Sequence, residues 1–391
     1  MSPSTRIDRV RGCLLGLAVG DALGAPLEGL SAQQIRAHYG RVVDYVDGAR
    51  AWKKKPYRWR MPGLYSDDTQ QALVLADCLL HRGRIEPEYL AELYLALATP
   101  KGSYLGAHRG IGRSFRMVLA ELEREVSPRL TGQMSAGIGA AMRIAPVGLY
   151  FADQPEMIFA AVMAASLMTH RDIRSLAGAM AVACAIRRLV TGENSGRSPC
   201  LLFWLAADVA KAEDRIAAEH ADLAAIGPYL HSISTVLART EALLEYPRDR
   251  ALAALVEEAN RHGAEPSCRR ATMGFPPACL PTCLYLLLTT ESFEEAVQEV
   301  VNLGGDADTT GAIVGALAGA HYGAEAIPVR WLAGLQNREG IEACAEALAH
   351  REVAGLDLPD LVETERLLSE AEESYRESLK AQRDLGANRR L

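Results

Sequence analysis

Almost every stretch of this chain with a hydrophobic period has the helical one. Apolar residues recur at i, i+3, i+4 and i+7, while the alternation of a half-buried strand is nearly absent. Such a pattern leaves material for helices packed on helices and almost none for a sheet. Alanine is frequent throughout and suits close helix packing. The spacing predicts helices over residues 8–24, 67–82, 87–98, 110–125, 135–150, 155–168, 172–191 and 200–216. It predicts further helices over 228–244, 248–262, 276–289, 293–302, 309–321, 340–350 and 360–384. No repeat of fixed length appears, which argues against a solenoid. Polar, glycine-bearing or proline-bearing interruptions at 40–65, 99–110, 192–199 and 263–277 are too short to divide the chain. The expectation is an all-α fold, one compact multi-helix domain over residues 1–355. A charged C-terminal helix in 356–391 is packed on it or appended to it. Its thin stripe of Leu361, Leu368, Tyr375 and Leu379 suits a surface helix, with an oligomer or partner contact as the rival reading.

A chain of 391 residues that is 49% hydrophobic can bury a large core. Its net charge of -7 gives no general attraction for phosphate backbones or anionic lipid, so neither nucleic acid nor membrane is an expected partner. The N-terminal apolar run, broken by Gly16, Gly20 and Asp21, reads as too short and too glycine-rich to cross a membrane. Its flank is also wrong for a secretory signal, which points to the cytoplasm. The eight cysteines are scattered, mostly in apolar helical surroundings; the one close pair, Cys279 and Cys283, has helical i, i+4 spacing and reads as buried thiols, and no zinc motif is present.

Chemistry gathers in two acid-and-hydroxyl clusters. In "YSDDTQQAL", Ser66, Asp67, Asp68 and Thr69 immediately precede an amphipathic run. In "NLGGDADTTGAIVG", Asp306, Asp308 and Thr309 follow Gly304 and Gly305. The plain reading of each is a helix start, where such residues cap orphan backbone donors and suit the positive end of the dipole. Capping needs only one acid, however, and each cluster has two. Glu28 closes the N-terminal apolar segment as a third candidate. Meeting inside an apolar bundle, these carboxylates and hydroxyls require compensation, and oxygen ligands without Cys or His fit Mg²⁺, Mn²⁺ or Ca²⁺ rather than zinc. An EF-hand starting at Asp306 fails, because its twelfth position is Leu317. The D-x-D-x-T nucleophile loop of haloacid-dehalogenase-like phosphatases fits in letters, yet it must follow a buried strand, and "FEEAVQEVVNLGG" reads as a helix.

Several dispersed stretches, in order, resemble the ADP-ribosylglycohydrolase family: "RGCLLGLAVGDALGAPLEG", "YSDDTQQAL", "HRGIGRSF", "SAGIGAAMRIAPVGL", "MTHRDIRSLAGAMAVACAI" and "SFEEAVQEVVNLGGDADTTGAIVGALAGAHYG". The resemblance implies an all-α fold with a dinuclear Mg²⁺ or Mn²⁺ site in a cleft for ADP-ribose. By the same resemblance Ser66, Asp67, Asp68, Asp306, Asp308 and Thr309 look like metal ligands, and Glu28 like a mobile carboxylate at the edge. Glu28, Asp67 or Asp308 would orient or deprotonate the attacking water. Gly110, Gly112 and Ser114 resemble the family's phosphate-contacting loop. Ser135, Gly137 and His170 look like the ribose and adenosine side, although His170 by itself reads as a helix-end or core imidazole.

The chain departs from the family pattern at Ile138, where Asn is common, at Ala136, and at Ala307, where Thr is common. Residues 192–275 match least well and are candidates for specificity. The basic and aromatic stretch of Lys53, Lys54, Lys55, Arg58 and Arg60 with Trp52, Tyr57 and Trp59 reads as a solvated loop. Its sharper reading is a docking surface for a modified target or a polyanionic ADP-ribose chain. The resemblance, with the acid clusters beside it, implies a metal-dependent hydrolase that removes ADP-ribose from protein side chains, arginine first. Serine-linked or O-acetyl-ADP-ribose substrates are the alternatives within the enzyme class. Outside it stand a non-catalytic ADP-ribose-binding protein and an immunity-type protein that also blocks a toxin partner.

Overall fold

Two helices from opposite ends of the chain lie backbone to backbone at its centre. In the computed structural model, which describes residues 3–99, 106–193, 200–223, 226–353 and 358–388, these are the N-terminal helix Pro3–Gly24 and the helix Ala307–Tyr322. Glycine stands at every fourth position of the contact, Gly12, Gly16 and Gly20 on one helix and Gly311, Gly315 and Gly319 on the other. A four-residue step keeps them on one face. A Cβ on Gly20 would lie 1.9 Å from the Gly311 carbonyl oxygen, and one on Gly319 1.8 Å from that of Gly12. The backbones therefore touch, closer than intervening side chains ordinarily permit. The pairing is antiparallel, so the end of the first helix meets the start of the second: a Cβ on Gly24 would lie 2.1 Å from the carbonyl oxygen of Ala307.

Around this pair the remaining helices bury one continuous apolar core, and a smaller cluster forms from Ala259, Cys268, Phe275 and Ala278. Among the described residues there is no strand, only isolated bridges joining Ser31 to Gly304 and Gln133 to His170. The segment before Asp306 is the helix Phe293–Leu303, so the phosphatase-loop reading lacks its strand. By length and composition Thr5–Leu27 is apolar enough to cross a membrane, contrary to the expectation, but 94% of that window is buried inside the protein. It is the core helix.

Several expected elements differ, among them the helix expected over 228–244, which breaks into Ile226–Tyr229 and Ser232–Glu241. The helix expected over 110–125 is Arg113–Leu122, which leaves Gly110 and Gly112 in a turn. The one expected over 135–150 breaks into Gly139–Met142 and Ala145–Tyr150, with Ser135 to Ile138 irregular. The C-terminal helix, Leu361–Asn388, is not seated on its leucine stripe. Leu361 and Leu368 are only half-buried, whereas Glu365 and Glu372 are fully buried.

Candidate active site

The register of the glycine contact brings Asp21, Glu28 and Asp306 to Thr309 against the start of the helix Asp67–Arg82. Ser66 caps that helix: its Oγ accepts from the Asp68 N–H at 3.4 Å and donates to Asp68 Oδ2 at 3.1 Å. Asp21, wholly buried, accepts from the backbone of Ser66 at 2.9 Å and of Thr69 at 3.0 Å, and from Thr69 Oγ1 at 2.6 Å. Ser66 thus caps the helix as the plain reading expects, and with four donors so satisfied Asp67 and Asp68 are not needed as caps. Asp306 occupies the cap position of its own helix and makes no side-chain cap bond. Both acid pairs thus face one another from the positive ends of two helix dipoles.

Burial and mutual repulsion act on every carboxylate there. Burial first, then the charges of Asp21 and Glu28, push Asp67 up to about 8 against the opposing pull of Arg60. Asp306 is pushed up to about 6 by burial and then Glu28. Asp68 and Asp308 are driven well above the ordinary carboxylate range, by burial and then by their acidic neighbours. One oxygen, Asp68 Oδ1, is sealed from solvent with no hydrogen-bond partner. An orphaned acceptor in a nest of like charges is costly unless a cation reaches it. The oxygen-only donor set has the chemistry of a Mg²⁺ or Mn²⁺ site. Among the described residues no three His, Cys, Asp or Glu side chains close on one point as they stand. The fit is one of donor chemistry and position, and closing the set around a cation takes rotation of the carboxylates.

Glu28 sits at the rim, half-buried, with Oε2 2.7 Å from Arg58 Nη1. The basic and aromatic stretch is therefore part of the site, which corrects the solvated-loop reading. Trp52 Nε1 donates to the Pro26 carbonyl at 3.1 Å and Trp59 Nε1 to that of Trp52 at 2.8 Å. Trp59 and Arg60 are buried, and only Lys53, Lys54, Lys55 and Tyr57 face solvent. Burial opposes the Arg60 charge, but Glu372, Glu28, Asp308 and Asp67 together outweigh it. A cavity of about 770 Å³ opens beside Glu28, bounded by Arg58, Arg60, Gly110, Arg113, Ser369 and Glu372. It adjoins the cluster on the Glu28 side and is not lined by the aspartates.

Gly110, at φ +84°, packs directly on the cluster: a Cβ there would lie 3.0 Å from Asp67 Oδ1 and 2.9 Å from Arg60 Nη2. Only glycine combines that conformation with that approach. Gly112 is exposed at the cap of the next helix, with open space around it, and Ser114 lies in the first turn. Ser114 Oγ donates to Ser135 Oγ at 3.2 Å, which joins the two glycine-bearing turns. Ser175 Oγ fixes the second turn through the carbonyls of Ser135 at 3.0 Å and Gly137 at 2.7 Å. His170 lies buried beneath it, with Cε1 2.9 Å from where a Gly139 Cβ would stand. Burial, then Arg143, lowers its pKa to about 3, so the ring is neutral and braces the turn. Ile138 packs toward Gly274, where a Cβ would meet Asp306 Oδ2 at 2.4 Å. Gly110, Gly112, Ser114, Ser135 and Gly137 thus form one rim beginning at the carboxylates, and His170, expected beside them, lies under that rim and not on it.

Several residues of the site were not singled out by sequence reasoning. Asp21 braces the Asp67 helix, and Gln71 Nε2 donates to Asp67 Oδ2 at 2.8 Å. Arg143 Nη1 donates to Gln71 Oε1 at 2.6 Å and its Nη2 to Thr169, whose hydroxyl pairs with His170 Nδ1 at 2.9 Å. A continuous polar chain thus ties Asp67 to His170 through the core. The available signal was a lone charge in an apolar run, Asp21 in "GLAVGDALGAP" and Arg143 in "GAAMRIAPVG". Within the stretch 192–275, residues 194–199 and 224–225 lie outside the described residues. The rest is tied to the body where Arg174 Nη1 donates to the carbonyls of His262 and Gly263, each at 2.9 Å.

The family model for ADP-ribosylglycohydrolase matches residues 2–357. The chain is 27% identical over 352 residues to the ADP-ribosyl-[dinitrogen reductase] glycohydrolase of Rhodospirillum rubrum, covering 90% of this chain and 98% of that one. It is 25% identical over 348 residues to the ADP-ribosylarginine hydrolase Tri1 of Serratia proteamaculans, covering 88% of this chain and 80% of the relative. A solved chain described as an ADP-ribosylglycohydrolase-related protein complex is similar at a TM-score of 0.63 and 30% identity, covering 90% of this chain and all of its own. With the match running unbroken from residue 2 to residue 357, this chain belongs to the ADP-ribosylglycohydrolase family.

Proposed function

We propose that the protein is a metal-dependent hydrolase that removes ADP-ribose from modified protein side chains, with ADP-ribosyl-arginine as substrate. The observation that carries the metal dependence is the buried cluster of Asp67, Asp68, Asp306 and Asp308 with its orphaned oxygen, Asp68 Oδ1. Two Mg²⁺ or Mn²⁺ ions held by Ser66, Asp67, Asp68, Asp306, Asp308 and Thr309 fit that donor set. When bound, they supply Lewis-acid stabilisation of the ribose hydroxyls and of charge on the departing group. The arginine acceptor is favoured by the likeness to a relative named for that activity. The absence of a disulfide among the described residues suits a reducing compartment and a cytoplasmic location.

The chain's own residues divide the work. Glu28 is the carboxylate on the wet rim, kept in place by Arg58, and it takes the proton of the attacking water. The water's hydroxyl ends on the anomeric carbon as the glycosidic C–N bond breaks, and the proton passes to the departing guanidine nitrogen. Asp67, steadied by Gln71, and Asp308 hold the acid wall of the cleft. The Gly110 to Ser114 segment receives the diphosphate at a helix start, and the Ser135 to Gly137 turn over His170 receives the nucleoside.

Calorimetric titration of metal-free protein with ADP-ribose, with and without Mn²⁺ or Mg²⁺, tests this together with release from arginine-ADP-ribosylated protein. Metal-dependent binding with release supports the hydrolase. Binding without release from arginine, serine or O-acetyl substrates would replace it with a binding role, and no binding would end both.

A further inference from the structure

The family match ends at residue 357, and the helix that follows it, Leu361–Asn388, enters the site from behind. Among its described side chains Glu365 and Glu372 are the deepest, 0% and 2% exposed. A separation of seven residues places them on one face, about 10 Å apart along the axis, with Ser369 between. Glu365 accepts from Tyr65 Oη at 2.6 Å, Gln70 Nε2 at 3.0 Å and Arg109 Nη2 at 2.5 Å. Ser369 Oγ donates to the Ala107 carbonyl at 2.8 Å and accepts from Arg109 Nη1 at 2.9 Å. Glu372 lies 3.5 Å from Arg60, pairs with Arg376, and accepts from the Met61 N–H at 3.4 Å. Apart from Arg376, these partners lie in the two segments that carry Ser66 to Asp68 and Gly110.

Buried arginine–glutamate pairs roughly break even against apolar packing, so such an interface adds direction rather than stability. Here the direction falls on one turn. Arg109 immediately precedes Gly110, and Arg60 Nη2 lies against the Gly110 α-carbon, where a Cβ would meet it at 2.9 Å. Arg60 has Glu372 behind it and Asp67, Asp308 and Glu28 before it. Without the Glu372 charge the guanidinium is drawn forward onto the aspartates.

We propose that the C-terminal helix is a positioning element of the site. Through Glu372 and Glu365 it holds Arg60 and Arg109 so that the Gly110 to Gly112 turn keeps the shape that receives a diphosphate. The proposal rests on the ADP-ribose reading above, and it makes both glutamates positioning residues rather than catalytic ones.

The test uses full-length Glu372→Gln and Glu365→Gln proteins, with the exposed Glu377→Gln as control. In the ligand-free state, amide exchange at residues 106–112 rises by about tenfold or more in both variants and not in the control. With Mn²⁺ present, the Kd for ADP rises about tenfold while that for adenosine, which lacks the phosphates, is unchanged. In hydrolysis KM rises and kcat stays within about twofold, and Glu372→Asp restores part of the loss. Unchanged exchange, unchanged ADP affinity, or an equal loss for ADP and adenosine would overturn the positioning role. Wild-type protein that binds neither ligand would overturn the ADP-ribose reading and this one with it, a result distinct from any change confined to the variants.

Discussion

Gly16 and Gly315 touch through their backbones: a Cβ on Gly16 would stand 2.2 Å from the Gly315 carbonyl oxygen, and one on Gly315 1.9 Å from that of Gly16. Alanine at either position must push the two central helices apart. The expected cost is about 1–3 kcal/mol or more, measured as a shift in the urea midpoint. The same contact sets Asp21 and Asp308 against the Asp67 helix, so Mn²⁺ affinity falls along with stability. A destabilised Gly315→Ala protein with unaltered Mn²⁺ affinity would separate the glycine contact from the site.

Replacing Asp67 and Asp306 together by Asn is expected to oppose stability and activity. Hydrolysis should fall by at least about 100-fold and Mn²⁺ binding should be lost. The metal-free variant should nevertheless melt higher than wild type, because two carboxyls that burial and neighbouring acids hold above their ordinary range have become amides with no charge to suppress. Full activity in the double variant at saturating Mg²⁺ would defeat the metal mechanism, and an unchanged metal-free melt would show that the carboxylates store no strain.

The pH dependence has a definite sign. Burial and neighbouring charges lift folded Asp67 to about 8, well above an unfolded aspartate near 3.9, so the metal-free folded state keeps a proton that the unfolded state has released. Stability therefore falls as pH rises through that interval. His170 and His108, lowered mainly by burial to about 3 and about 4, act in the opposite sense, but only below about 6.5, where the unfolded state takes up the proton. Between about pH 6.5 and 8 the carboxyl effect stands alone. Melting temperature in EDTA should drop across that window, and added Mn²⁺ should abolish the slope by keeping the carboxylates ionised. A flat profile in EDTA would refute the assignment.

Asp21→Asn presents an amide NH₂ to donors on Ser66 and Thr69 that now share one carboxylate. A loss of about 1–3 kcal/mol is expected in chemical denaturation. Frayed protection of the Ser66 to Thr69 amides in hydrogen exchange should accompany it, and intact protection would mean that Ser66 alone secures the helix start.

The fold was legible because each helix carries its own apolar stripe, as Phe293–Leu303 does, so a local window suffices. The two acid clusters were legible for the same reason: Ser66 to Asp68 and Asp306 to Thr309 each sit within a few residues at a helix start. Features that depend on a distant partner were not. Gly12, Gly16 and Gly20 look like helix breakers until a second series, Gly311 to Gly319, is set against them. Glu365 and Glu372 look like a solvated face, because nothing local announces that Arg109 and Arg60 will meet them. The stretch around Ser135 runs into the helix formers of "AAMR", yet Gly137 and Gly139 weaken it as a helix and the Ser175 hydroxyl holds it as a turn.

The central glycine contact also bears on how the protein is made. Roughly 280 residues separate Gly24 from Ala307, so at about 5–20 residues per second the N-terminal helix waits roughly 15–60 s on the ribosome for its partner to be synthesised. Throughout that interval the glycine face of the helix lacks the partner it packs against. The pairing waits on the late part of translation, and a nascent chain stalled before Ala307 presents the bare glycine face of that helix to whatever chaperone is near.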